Sequence, residues 1–293
     1  MDSNRTGMQL TPDEYKEEVK KVLAAIHDIC GRRNMPYFIA DGTMLGAVRH
    51  KGFIPWDDDI DIIMTRDNYE RFCKILPEET GDYYVLSGDT SPYYYFYFSR
   101  VCSRTASLKL RGILDLDDLG PFVDIFILDK TSEDPVERAA HNKEVMALNQ
   151  KIKYALPARY YRTLPQKRRT RMLLNLPQRI DARLIKGFKK IREEREEIIQ
   201  RYRSSDSELY TTSYDPIQDK CLYYQNEIED LVLTDFEDIK VYIPAAYDVL
   251  LTRRYGDYMQ LPPEEARTIH VKGDVIIDTH RDYRLYRKEL LGK

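Results

Sequence analysis

Cysteine is scarce in this 293-residue chain, and its four examples, Cys30, Cys73, Cys102 and Cys221, stand far apart without a Cys-x-x-Cys pair. That spacing excludes a zinc knuckle and a disulfide framework, and leaves the thiols as neutral packing residues. No apolar run approaches the roughly 18 residues of a membrane span. Met1-Asp2-Ser3-Asn4-Arg5 lacks the apolar core of a signal peptide, so a cytoplasmic location is expected. An excess of one charge is also missing: 46 Lys+Arg against 49 Asp+Glu give a net charge of -3, which removes any global electrostatic case for nucleic acid as partner. There is no internal repeat and no low-complexity linker. What is present is 42% hydrophobic residues, enough for a globular core.

Local signals divide the chain. Thr11-Pro12-Asp13-Glu14 reads as a capped helix start, and Val19, Val22, Leu23, Ile26 and Ile29 recur at helical spacing up to Gly31. Pro36 to Ala40 predicts a short buried strand, Asp41-Gly42-Thr43 a turn, and Met44 to Arg49 a second helix. Thr65 is positioned to cap a helix with Tyr69, Phe72, Cys73 and Leu76 on one face. Strands are expected at Tyr83 to Ser87, Tyr93 to Ser103 and Pro121 to Leu128. Long charged helical sequence follows from about Asp134 to Arg203, broken at Pro157 and Pro165. Short strands return from Tyr210, and a last helix runs from Ala245 to Tyr255 and stops at Gly256. The expected fold class is α/β (α+β): a catalytic core with a mixed sheet over residues 1–130, a helical region over 131–209, and a C-terminal part, 210–293, packing back on the core.

The chemistry concentrates in Ile54-Pro55-Trp56-Asp57-Asp58-Asp59-Ile60-Asp61-Ile62-Ile63-Met64. Acid and apolar residues alternate at strand period, so Asp59 and Asp61 share one face while Ile60, Ile62 and Met64 share the other. Two neighbouring carboxylates repel unless a cation lies between them, and hard divalent ions take carboxylates plus phosphate oxygens. Metal-assisted transfer of a phosphorus-containing group is the chemistry this predicts, with Mg2+ (or Mn2+) as the ion. Upstream, Gly42-Thr43 lies between strand and helix, where a glycine admits close approach and free amides with a hydroxyl can hold phosphate oxygens. Asp124 is the one acid inside the apolar strand Pro121 to Leu128, and is expected as a third carboxylate beside the first two. Two ions about 3.5 to 4 Å apart, bridged by Asp59 and Asp61 with Asp124 on the second, would suit phosphoryl transfer.

The order glycine, hydroxyl residue, helix, Asp-x-Asp strand is the pattern of the nucleotidyltransferase fold. More specifically, the run from Asp41 through Gly46, Arg49-His50-Lys51-Gly52-Phe53 and Trp56 to Ile62 resembles the signature of the LicD family of phosphocholine transferases, relatives of fukutin-related protein. Phe122-Val123-Asp124-Ile125-Phe126 resembles that family's later aspartate strand, and Arg254-Tyr255-Gly256-Asp257-Tyr258-Met259-Gln260-Leu261-Pro262-Pro263 its C-terminal motif. The resemblance implies transfer of phosphocholine, or a related alcohol phosphate, from a CDP-linked donor such as CDP-choline to a sugar hydroxyl of a glycan or lipid-linked glycan, with release of CMP, as in teichoic acid or lipopolysaccharide modification. It implies Asp57, Asp59 and Asp61 as an Asp-x-Asp-x-Asp array. Asp57 has an alternative role, fixing the bend made by Pro55 and Trp56. Two rival functions stay open: a nucleotidyltransferase adding an NMP to a small hydroxyl acceptor, and an inactive binding protein.

Further residues have two readings each. Arg49 either complements the end of its helix or grips donor phosphate, His50 is structural or solvent-facing, and Trp56 either packs or stacks on the cytosine base. The aromatic run Tyr93 to Phe98 is either sheet packing or a cage for quaternary ammonium. The basic stretch from Lys151 to Arg179, with Lys167, Arg168, Arg169 and Arg171 at its centre, contains no acid. It is either a solvated helical face or a peripheral contact with an anionic membrane.

Overall fold

A computed structural model describes residues 11–91, 94–104, 107–109, 119–155, 187–212, 220–267 and 276–278. The capping signal at Thr11 holds: its hydroxyl and Glu14 exchange bonds with each other's backbone amides, and helix α1 runs Pro12–Arg32. Val19, Val22, Leu23, Ile26 and Ile29 form its buried stripe, as their spacing predicts. Strand β1 (Phe38–Ile39) leads at once into α2 (Asp41–His50). The expected turn Asp41-Gly42-Thr43 is therefore the first turn of α2 itself, with Asp41 at a positive φ of 44° where the chain swings from strand to helix.

After α2 come β2 (Asp61–Thr65), α3 (Arg66–Glu79), β3 (Tyr83–Leu86), β4 (Ser99–Ser103), β5 (Ser107–Lys109) and the long β6 (Phe122–Lys130). Helices α4 (Pro135–Ala155) and α5 (Gly187–Ile199) pack on one another through Leu148, Ile152 and Ile191. The breaks expected at Pro157 and Pro165 lie outside the described residues. The chain then adds β7 (Leu209–Thr212), β8 (Leu222–Tyr224), the hairpin β9 (Leu231–Phe236) and β10 (Ile239–Pro244), helix α6 (Tyr247–Tyr255) and β11 (Ile276–Asp278).

The main sheet is mixed, in the order β1-β2-β6-β4-β3, with β7 pairing the far half of β6 and β8 pairing β7. Among the described strands only the β2–β6 pair is parallel. Its interior is apolar: Ile60, Ile62, Ile63 and Met64 are buried together with Val123 and Ile125. One expected strand is shorter than its sequence suggests. Tyr94 to Phe98 lie outside β4, because their rings turn into the core and onto one another instead of alternating along a strand, with Tyr95 and Phe96 stacked at 4.2 Å. All four cysteines are unbridged, and Cys30, Cys102 and Cys221 are buried. No helix among the described residues is long and apolar enough to cross a membrane.

Helix α2 is held at both ends. Gly46 lies against the carbonyl oxygen of Gly52, so close that a Cβ would overlap it. The tip of the β9–β10 hairpin fixes the same loop: Glu237 accepts a bond from the Phe53 amide at 2.9 Å and donates its own amide to the Lys51 carbonyl at 2.7 Å. Gly46→Ala forces backbone apart at this contact. The expected cost is about 1–3 kcal/mol, read as a lower urea midpoint, and an unchanged midpoint would contradict the packing described.

Candidate active site

Strand register brings the acids together. In the parallel β2–β6 pair Asp61 lies opposite Asp124, and in the antiparallel β6–β4 pair Asp124 lies opposite Arg100. Register partners present side chains to the same face, so Asp61, Asp124 and Arg100 form one row across three strands. Asp59 precedes β2 instead of lying within it, although Ile60 already accepts a ladder bond from the Asp124 amide at 2.9 Å.

The row opens into a cavity of about 740 Å³ lined by Asp41, Gly42, Arg49, Trp56, Asp57, Asp59, Asp61, Phe98, Asp124, Phe126 and the segment from Arg254 to Pro263. Gly42 is required here for a local reason: a Cβ would lie 2.8 Å from the Asp57 carboxylate. That contact sets Asp57 against the first turn of α2, where helix amides favour negative charge. The Asp57 amide also closes a turn on the Ile54 carbonyl at 2.8 Å. Thr43 is buried one layer behind the cavity lining, and its hydroxyl oxygen accepts the backbone amide of Asp61 at 2.9 Å. It thus fastens the start of α2 to the acid strand.

Arg49 donates to the backbone carbonyls of Tyr258 at 2.7 Å and Gln260 at 3.4 Å. Burial lowers its pKa. This arginine ties the C-terminal wall of the cavity to α2. Trp56 lines the cavity with His50 at its edge, and the Arg267 guanidinium lies 4.9 Å over its ring.

Charge is crowded. The Asp61 carboxyl is held well above the ordinary carboxylate range, first by burial and then by the charges of Asp59, Asp124, Asp41 and Asp57. Burial also raises Asp124, with Asp59 adding to the shift and Arg100 opposing it. All the donors are hard carboxylate oxygens, which suits a cation of the Mg2+ type. Among the described residues no three of them already converge as a finished metal shell. Asp124 leans instead on Arg100, 2.8 Å from Nε to Oδ1.

Sequence reasoning missed three participants. Arg100 is 4% exposed, with its guanidinium 3.9 Å from the Phe122 ring centre and 4.3 Å from that of Phe96. An arginine in a strand flanked by aromatic residues was the available signal. Asp41 and Arg254 are the others, paired at 3.1 Å where the C-terminal motif meets α2. The aromatic run supplies only Phe98 to the cavity; Tyr94 is buried and Phe96 faces Arg100, while Tyr93 lies outside the described residues. Lys167, Arg168, Arg169 and Arg171 also lie outside them.

A strand–helix–strand unit that sets a helix start against in-register carboxylates is the arrangement of a nucleotidyltransferase-type catalytic domain. Residues 34–178 match the LicD/FKTN/FKRP nucleotidyltransferase domain family. Over 270 residues it is 29% identical to the lipopolysaccharide cholinephosphotransferase LicD of Haemophilus influenzae, covering 89% of this chain and 96% of that protein. An uncharacterized protein of Rickettsia typhi is 46% identical over 70 residues, 22% of this chain and 23% of that protein. One from Rickettsia prowazekii is 44% identical over 71 residues, 22% of this chain and 27% of its own length.

The raised Asp61 pKa has a thermodynamic consequence with a definite sign. Between the ordinary carboxylate range and the raised native value, the folded state holds more protons than the unfolded state, so stability falls as pH rises through that window. Asp61→Asn removes the loss. In the presence of chelator, the variant is expected to melt above the parent on the alkaline side of neutrality and level with it near about pH 4, the usual carboxylate value. An advantage of equal size at both pH values would show that repulsion is not its source.

Proposed function

We infer that this protein is a metal-dependent phosphotransferase that moves phosphocholine from a CDP-linked donor to a sugar hydroxyl of a glycan. The observation that carries this reading is the opposition of Asp61 and Asp124, with Asp59 beside them, in a cavity wide enough for a nucleotide. The family supports transfer of a phosphate-containing group, and the relative from Haemophilus influenzae supports phosphocholine as that group.

Asp59, Asp61 and Asp124 would hold the divalent cation, with Asp57 at the edge of the set. Such an ion supplies charge neutralisation at the phosphate oxygens. In the reaction the acceptor hydroxyl oxygen bonds to the choline-bearing phosphorus as the P–O bond to CMP breaks, CMP leaving and the hydroxyl proton passing to solvent. The residues of the chain orient the partners: the first turn of α2, against which Gly42 lets Asp57 lie, lines the cavity where the phosphates would sit, and Arg49 holds the wall formed by Tyr258 and Gln260. A quaternary ammonium makes no hydrogen bond and is met by aromatic faces. In this cavity those belong to Trp56, Phe126, Tyr255 and Tyr258, together with Phe98 from the run Tyr93 to Phe98. The acceptor enters from the open side, and a lipid-linked glycan would bring the protein to an anionic membrane surface.

Asp59→Asn and Asp61→Asn are each expected to lower kcat by on the order of a hundredfold or more, because a metal ligand contributes several kcal/mol to the transition state. Release of CMP from CDP-choline in the presence of glycan is the assay. Pyrophosphate release from a nucleoside triphosphate, with no CMP from any CDP-alcohol, would replace this reading by NMP transfer.

The choline assignment has its own test. Tyr255→Leu is expected to raise KM for CDP-choline by about tenfold, the scale of a desolvated cation–π contact, while CDP binds as before. Equal weakening of CDP would assign the ring to the nucleotide, and better turnover of CDP-glycerol or CDP-ribitol would overturn choline while keeping the transferase.

A further inference from the structure

A fully enclosed arginine is costly unless its surroundings require it. Arg100 meets Asp124 edge-on through Nε, and the face of its guanidinium is covered by Phe122 at 3.9 Å, Phe96 at 4.3 Å and Phe98 at 5.4 Å. Burial opposes its charge, yet Asp124 more than restores it and its pKa is raised. Among the described residues Nη1 is buried with no hydrogen-bond partner.

The aromatic walls explain the geometry. They leave the guanidinium one orientation, edge toward Asp124, and Phe98 is shared between this enclosure and the cavity. Nε takes Oδ1 of Asp124. That leaves Oδ2 as the oxygen available to a ligand on the cavity side, beside Asp59 and Asp61.

We propose that Arg100 is a positioning residue for the transfer reaction: by holding Oδ1 of Asp124 from inside an aromatic enclosure, it presents that carboxylate to the cation through a single oxygen. The proposal rests on the functional reading above and adds to it a residue that touches neither substrate nor ion. Lysine cannot substitute. Its ammonium is a point charge on a flexible stem, with neither the planar fork nor the flat face that the three phenylalanines clamp.

Arg100→Lys therefore separates charge from geometry. It retains the cation against Asp124, so its melting temperature without metal is expected within a few degrees of the parent. Its Mn2+ affinity, measured by calorimetric titration, is expected to fall by about tenfold. Its kcat for CMP release is expected to fall by about thirtyfold or more, with KM for CDP-choline within about threefold. Arg100→Gln, which loses charge and geometry, should melt lower and show no greater retention of kcat than the lysine variant. Parental kcat and Mn2+ affinity in Arg100→Lys would overturn the proposal and leave Arg100 as a counter-charge. Absence of Mn2+ uptake by the parent protein would overturn the metal reading of the site and this role of Arg100 with it, whereas Mn2+ uptake by the parent with parental behaviour of Arg100→Lys would overturn the role of Arg100 alone.

Discussion

Like charges placed opposite each other on adjacent strands destabilise a sheet, and the rest of this structure is organised around one such pair. Asp61 and Asp124 face each other across the only parallel pairing among the described strands of the main sheet. Parallel pairing here requires α3 and the β3–β4 hairpin to be inserted between the two strands, which is why acids more than sixty residues apart meet in register. Their repulsion is relieved on one side by Arg100 and, in the functional reading, on the other by a divalent cation. The site is thus built with a charge deficit that its cofactor would complete.

Around this row, each neighbouring element has one task. Thr43 fastens α2 to Asp61, and Gly42 lets Asp57 lie against the first helical turn. The β9–β10 hairpin grips the loop after α2 through Glu237. Arg49 and Arg254 bring the C-terminal motif over the cavity, one through backbone carbonyls and the other through Asp41. Asp61 and Asp124 are carried on strands and Gly42 and Thr43 on a helix start, which are stiffer supports than loops, as alignment for in-line displacement demands.

The relation between sequence and site is uneven in an instructive way. Asp61 was legible because acid–apolar alternation survives in a strand, and Asp124 because an acid in an apolar run must be satisfied; Asp59, read on the same strand, lines the cavity from the segment just before it. The capping box at Thr11 was legible because its partners are three residues apart. Tyr93 to Phe98 misled: its composition suits a strand, yet rings that can stack on each other and on a buried guanidinium gain more by leaving the ladder. Thr43 was expected to hold phosphate, and whether its hydroxyl does so depends on a strand that lies beside it only after folding.

What the sequence by itself determined about this protein are the properties carried by near neighbours: the helix starts, the buried stripes, the acid pair and the family signature from Asp41 to Ile62. What only the tertiary structure decided are the pairings between distant residues, Asp61 with Asp124, Asp124 with Arg100, Arg254 with Asp41 and Arg49 with the Tyr258 carbonyl. The physical reason is that local signals report which face of an element is apolar. The register between strands, and so the oxygen that a carboxylate presents to a cavity, is set by packing that no short stretch of chain contains.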